Sequence, residues 1–304
     1  MIEVALMIEG QHGLTWPRWQ NFARAVEELG FPALYRSDHF TNASEPDRDS
    51  LELWVSLTWL ASHTQRIEFG PLVSPVSFRH PALTARMATA VDDLSSGRLT
   101  LGLGAGWQER EHTLFGFPLL PLNERFDRFE EGLQVITRLL RSSTPVSYQG
   151  RYFELHEAIL LPRPQRPAGP PILIGGNGQD RTLSLVARYA DEWNSLFLPE
   201  NEFRRLNDIL EEKLRMAGRE TGSVRRSMMT GLRFGRTRKE LKQKLQARKL
   251  SVQQLRAKGL VVGVGEEVRE QLLNLEKAGL QRIMLQWLDL DDLAGLEGLA
   301  RVVN

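Results

Sequence analysis

No cysteine occurs in the 304 residues. Disulfides, thiolate zinc sites, iron–sulfur clusters and a catalytic thiol are excluded together. Charge of one sign is also missing: 39 Lys and Arg stand against 38 Asp and Glu, a net charge of +1. No global basic field draws in nucleic acid or an anionic membrane, so neither is expected as a partner. No apolar run approaches the length of a membrane span. The opening segment carries no basic residue and reaches Glu9 after a short apolar run, so it does not read as a signal peptide. The histidines at 12, 39, 63, 80, 112 and 156 show no H-x-x-x-H or H-E-x-x-H spacing, and no metal site is expected. A G-x-S-x-G elbow and a Walker A loop are absent as well. What remains is a globular composition, 41% hydrophobic and 25% charged. The expectation is a soluble, cytoplasmic protein whose chemistry uses oxygen and nitrogen groups or a bound cofactor.

Short apolar runs alternate with longer amphipathic segments. Ile2–Ile8 reads as a first strand; Thr15 then caps a helix whose stripe is Trp19, Phe22, Ala23, Val26 and Leu29, ended by Gly30. Further strands are expected at Ala33–Arg36, Arg66–Val73, Arg98–Leu103, Ile172–Ile174, Glu192–Leu196, Ser227–Phe234 and Arg282–Trp287. Helical patterns follow them, at Leu51–His63, Pro81–Leu94, Asn123–Arg141, Gln179–Tyr189, Glu200–Ala217, Glu266–Ala278 and Leu290–Val303. Eight strands, each followed by helical pattern, sum to a single-domain (β/α)8 TIM barrel over residues 1–304, although a doubly wound sheet shows the same alternation. Residues 107–122, 142–170 and 235–258 read as insertions after strands 4 and 7. The first is a loop with Gly116, Pro118 and Pro121, and the second carries a hairpin around Gly150.

A barrel puts chemistry at the C-terminal ends of its strands. The second strand ends in Ser37-Asp38-His39-Phe40, an ionisable pair in which Asp38 orients an imidazole acid or bonds a ligand hydroxyl, or else a turn cap beside a surface histidine. The third runs through Pro71, Leu72 and Ser74, a stiff end that offers a backbone shelf or a rigid turn. The fourth ends Gly102-Leu103-Gly104-Ala105-Gly106-Trp107, where glycines allow close approach to a flat ring or phosphate. Trp107 stands where a dinucleotide fingerprint needs its third glycine. Gly175-Gly176-Asn177-Gly178 joins a strand to a helix start, a phosphate site or a tight turn, with Arg181 in the first helical turn. Nine Lys or Arg against Glu240 in 235–258 read as a docking strip for a polyanionic tail or as a solvated helix.

These segments in this order, with Phe78-Arg-His-Pro81 and Glu124-Arg-Phe-Asp-Arg128, resemble the luciferase-like monooxygenase superfamily, and most closely its deazaflavin-dependent branch, which uses coenzyme F420. The resemblance spans nearly the whole chain and implies the (β/α)8 barrel of that type and a homodimer. It places Asp38 and His39 against the cofactor ring, with His39 as catalytic proton donor. It implies a non-prolyl cis peptide at Pro71–Leu72, with Ser74 near the ring. Gly104, Ala105, Gly106 and Trp107 border the ring, Arg110 meets the cofactor tail, and Gly175, Gly176, Asn177 and Gly178 hold the phosphate. The sugar-phosphate dehydrogenases of the superfamily carry a catalytic Glu where this chain has Trp107, and an aromatic residue after the Asp-His pair where it has Thr41-Asn-Ala-Ser44. That activity is therefore not expected.

The implied function is hydride transfer between F420 and a small organic substrate. Three other readings stay open: an FMN-dependent monooxygenase on the same fold, a non-catalytic flavin-binding protein, and a phosphate-substrate barrel without a flavin.

Overall fold

The computed structural model describes residues 2–246 and 250–304. The chain opens with β1 (Glu3–Ile8), α1 (Trp16–Glu28), β2 (Ala33–Arg36), α2 (Leu53–His63), β3 (Glu68–Pro71), β4 (Ser74–Pro75), α3 (Pro81–Leu94) and β5 (Leu101–Gly104). It continues with α4 (Glu109–Phe115), α5 (Leu122–Arg141), β6 (Val146–Gln149), β7 (Glu154–Ala158), β8 (Ile172–Gly175), α6 (Thr182–Tyr189), β9 (Glu192–Leu196) and α7 (Glu200–Met216). It ends with β10 (Arg225–Phe234), α8 (Arg238–Gln246), α9 (Val252–Ala257), β11 (Val261–Gly263), α10 (Gly265–Lys277), β12 (Arg282–Gln286) and α11 (Leu293–Val303).

The strands pair in parallel in the order β3-β2-β1-β12-β10-β9-β8-β5-β4. β3 and β4 are two pieces of one barrel strand. A parallel bridge from Phe69 to Leu99 and the pairing of Ser74 with Leu103 bring both pieces to the β5 side, which closes an eight-stranded barrel. β11 adds to the far end of β10, Leu232 opposite Val261. β6 and β7 form a separate antiparallel hairpin, as the glycine at 150 predicts.

Period-two alternation explains the two cores. Val4, Leu6 and Ile8 of β1 join Trp19, Phe22 and Val26 of α1 in the layer between sheet and helices. Ala5 and Met7 point the other way, into the lumen, with Tyr35, Leu173, Met229 and Met284. β12 shows the same rule in one strand: Ile283 and Leu285 face the helices, whereas Arg282, Met284 and Gln286 line the interior from bottom to top.

Several expectations need correction. Residues 109–115, read as loop, form α4; the helix is short, ends at Gly116 in the left-handed region (φ 74°), and its flanking prolines masked it. The third strand is broken, and its non-prolyl cis peptide lies at Leu72–Val73, one residue beyond Pro71–Leu72. Thr15 occupies the cap position of α1, but its hydroxyl makes no capping bond. α6 begins at Thr182 rather than Gln179, so Arg181 precedes the first turn. The 235–258 segment folds into α8 and α9, with Arg248 and Lys249 outside the described residues. Among the described residues no helix is long and apolar enough to cross a membrane.

Candidate functional site

A cavity of about 580 Å³ opens at the C-terminal end of the barrel. Strand ends supply its wall: Glu9 beyond β1, Asp38 and His39 beyond β2, Leu72 and Val73 between β3 and β4, and the glycine run beyond β5. Gly175 of β8 and Gly176 just beyond it, Leu196 of β9 and Gln286 of β12 add to it, with Arg125 and Phe126 of α5 also in the lining.

The β2 end is held from below. Arg36 is buried and donates to the carbonyls of Ser37 (3.2 Å) and Leu51 (2.7 Å) and to Ser56 Oγ (2.5 Å). All three partners are neutral, and burial lowers its pKa to about 10. Gly10 permits this packing, because a Cβ there would sit 2.3 Å from Arg36 Nη2. The strand end is thus locked before it reaches the ionisable pair.

Asp38 faces its own cation. Its Oδ2 accepts from Arg79 Nη1 at 2.5 Å and from Ser74 Oγ at 3.0 Å, while Arg79 also reaches Glu52 at 2.7 Å. His39 has a different partner. Its Nδ1 lies 2.8 Å from Glu111 Oε1, and Glu111 Oε2 accepts the Phe40 N–H at 2.9 Å. Glu111 is only 1% exposed. Burial opposes the charged imidazole, but the hydrogen bond and charge of Glu111, with Glu9 and Asp38 behind it, outweigh burial and raise the His39 pKa above its ordinary 6.5. Nδ1 is occupied, so Nε2 is the nitrogen left for a ligand. The His39 ring meets Trp107 edge to face at 5.7 Å.

Nine of the sequence candidates line the cavity: Asp38, His39, Leu72, Gly104, Ala105, Gly106, Trp107, Gly175 and Gly176. The other five sit around it. Pro71 lies within β3 opposite Arg36, and Ser74 supports Asp38 from β4. Arg110 is clamped at the rim by both Asp47 carboxylate oxygens, each at 2.7 Å, and lines a neighbouring open groove. Asn177 spends its side chain on Leu196, giving to its carbonyl and taking from its N–H, so it clasps β8 to β9. Gly178 lies against Thr182, whose hydroxyl a Cβ would approach to 2.9 Å. Arg181 pairs with Asp127 at 2.5 Å instead of turning inward.

Sequence reasoning missed Glu9, Glu111, Arg125 and Gln286. Glu111 and His39 are 72 positions apart, so no spacing links them. The signal available was Glu9, which follows a strand as directly as Asp38 does. Arg125 donates to the carbonyls of Leu120 and Gly106, and among the described residues it has no carboxylate partner. Part of the basic segment is answered in space: Arg236 and Lys244 pair with Glu240, Lys244 also with Asp292, and Arg238 with Glu267.

Two features suit a flat heteroaromatic ring. Leu72, Val73, Gly104 and Ala105 line one apolar part of the cavity, in which a Cβ at Gly104 would collide with Val73, since it would lie 2.5 Å from Val73 Cγ2. The buried Asn194 also lines the cavity, and its Oδ1 has no hydrogen-bond partner, an acceptor available to an N–H donor.

Comparison with known proteins follows the same line. The chain is 29% identical over 223 residues to an F420-dependent glucose-6-phosphate dehydrogenase of Kineococcus radiotolerans, covering 70% of this chain and 63% of that protein. It is 30% identical over 197 residues to a 4-hydroxyprotoasukamycin monooxygenase of Streptomyces nodosus subsp. asukaensis, covering 65% of this chain and 52% of that one. The chain therefore spans between half and two thirds of the length of these relatives. A solved F420-dependent secondary alcohol dehydrogenase, bound to an F420–acetone adduct, superposes with a TM-score of 0.86 over 100% of this chain and 99% of its own. At 18% identity that likeness shows the fold. The luciferase-like monooxygenase family matches residues 4–282, nearly the whole barrel, and the chain belongs to that family.

Proposed function

We propose that the protein is an oxidoreductase that binds coenzyme F420 in the barrel-mouth cavity and acts on a small organic substrate. The observation that carries this reading is the His39–Glu111 pair on the cavity wall: an imidazole whose pKa a buried carboxylate raises, with Nδ1 engaged by that carboxylate and the ring lining the ligand space. When bound, the reduced deazaflavin supplies a hydride to an electrophilic carbon.

The protein's own residues do the rest. Leu72, Val73, Gly104 and Ala105 support the ring, and Trp107 closes one edge. Asn194 accepts a ring N–H. Thr182 at the start of α6 lines the cavity beside Gly175 and Gly176, where the helix N-terminus would favour the cofactor phosphate, and Arg125 would add a positive charge. Glu111 orients His39 and holds its proton until the substrate oxygen takes it. Named relatives that use F420 support the choice of cofactor. The same reading makes the protein a homodimer, which sedimentation velocity checks.

The deciding experiment titrates purified protein with F420 and with FMN, oxidised and reduced, while following affinity and oxygen consumption. Tight F420 binding without oxygen uptake is expected. Preferential FMN binding with oxygen uptake overturns the reading in favour of a monooxygenase. In His39→Ala, F420 affinity is expected to persist while turnover falls about 10²–10⁴-fold.

A further inference from the structure

Charge and apolar surface are unevenly distributed around the cavity. Glu9 faces it with both carboxylate oxygens engaged, Oε1 by Gln286 Nε2 at 2.7 Å and Oε2 by Gln11 Nε2 at 2.9 Å. Both partners are neutral amides. They fix the carboxylate in place, and the one cation its charge acts on, the His39 ring, is already paired with Glu111. Glu111 brings a second carboxylate, shared with His39. Arg125 is the sole Lys or Arg among the described residues that line the cavity. In the reading above it serves the cofactor phosphate. The lip carries large apolar side chains left open: Trp107 is 63% exposed, Leu122 62% and Phe197 37%.

A substrate phosphate or carboxylate would have to shed water against this lip and sit near two carboxylates, Glu9 and Glu111, that already share the His39 ring. Burying an unpaired charge beside a like charge is strongly unfavourable. An apolar body would instead cover Trp107, Leu122 and Phe197, and a single carbonyl or hydroxyl would find donor and acceptor together in His39 and Glu9. Building repulsion against the wrong ligand is as effective as attracting the right one.

We propose that the site selects neutral substrates with an apolar body and one carbonyl or hydroxyl group, and that Glu9 excludes phosphate esters and carboxylates. The inference rests on the cofactor reading only for the division of the cavity between ring and substrate. The selectivity itself belongs to the protein's own side chains.

Binding is therefore the readout. F420 affinity is measured first by fluorescence titration, which tests the cofactor reading alone. Calorimetric titration with 2-nonanone and with glucose 6-phosphate follows, in the presence and absence of F420. The ketone is expected to bind at least about tenfold tighter, the effect of one uncompensated charge. Glu9→Gln is expected to narrow that gap about threefold by improving phosphate-ester binding, and Leu122→Asp to weaken ketone binding while thermal unfolding shows the variant folded. Equal binding, preference for the phosphate ester, absence of ketone binding, or an unchanged gap in Glu9→Gln each overturns the proposal. Ketone preference without F420 affinity upholds this inference and sinks the cofactor reading. F420 affinity with phosphate-ester preference does the reverse.

Discussion

The two ends of the barrel hold ionisable groups in opposite ways. At the bottom, Arg282 is 1% exposed and sits among acids: Glu3, Glu68 at 2.5 Å and Glu192 at 3.7 Å, with a further bond to Tyr35 Oη at 2.6 Å. Burial opposes its charge, but Tyr35 and those carboxylates together raise its pKa. Burial likewise raises Glu192, whose Oε1 has no hydrogen-bond partner. At the top, beside the Asp38–Arg79 and His39–Glu111 pairs, three groups on the cavity wall keep something in reserve: His39 its Nε2, Glu9 a carboxylate hydrogen-bonded only by neutral amides, Arg125 a charge answered only by carbonyls. Ions that satisfy one another hold the barrel shut. Ions left partly unanswered make a site. The same strands carry both, since β12 gives Arg282 to one end and Gln286 to the other.

The sharpest way to break this contrast is to remove the bottom cation. Arg282→Met leaves buried Glu192 without a counter-charge and is expected to cost about 3–5 kcal/mol in chemical denaturation. A much smaller loss would show that the plug contributes little and that the contrast is only geometric.

The next test concerns the top. The folded His39 pKa lies above 6.5, so the stabilisation it brings is complete below that pH and is lost as pH rises through the folded value. Turnover that needs the protonated ring falls over the same interval. Glu111→Gln removes the charge that favours the imidazolium, so the descending limb of the pH–rate profile moves to lower pH. An unmoved limb would dissociate His39 from the proton step.

The smallest effect is expected at the surface. Arg18 and Asp291 pair at 2.7 Å with side chains 43% and 64% exposed. Arg18→Ala should change stability by less than about 0.5 kcal/mol, measured by thermal unfolding. A larger loss would mean that ionic stability is not concentrated at the bottom of the barrel.

The strands were legible because short continuous apolar runs such as Val4–Ile8 and Ile172–Ile174 mark strands buried on both faces. α4 was not legible, since seven residues between Gly106 and Gly116 give too little periodicity to outweigh the breakers. Asp38 and His39 could be picked from their place at a strand end; Glu111 could not, because its meaning depends on an imidazole that folding brings to it. The pairing of the basic strip was hidden for a related reason: two of its acidic partners, Glu267 and Asp292, lie far along the chain. Gly104 read as a ligand contact also turns out to be a packing requirement of Val73.

Between the two ionic ends lies a layer with no charge at all, Ala5, Met7, Leu173, Met229 and Met284. From Arg282 to Gln286 the strand climbs about 13 Å. Such a layer works as a spacer and a mechanical joint: distance alone sets the lower ions apart from the mouth, and a change of residue above does not disturb the lock below. The mouth can be refitted for another substrate while the barrel that carries it is left alone.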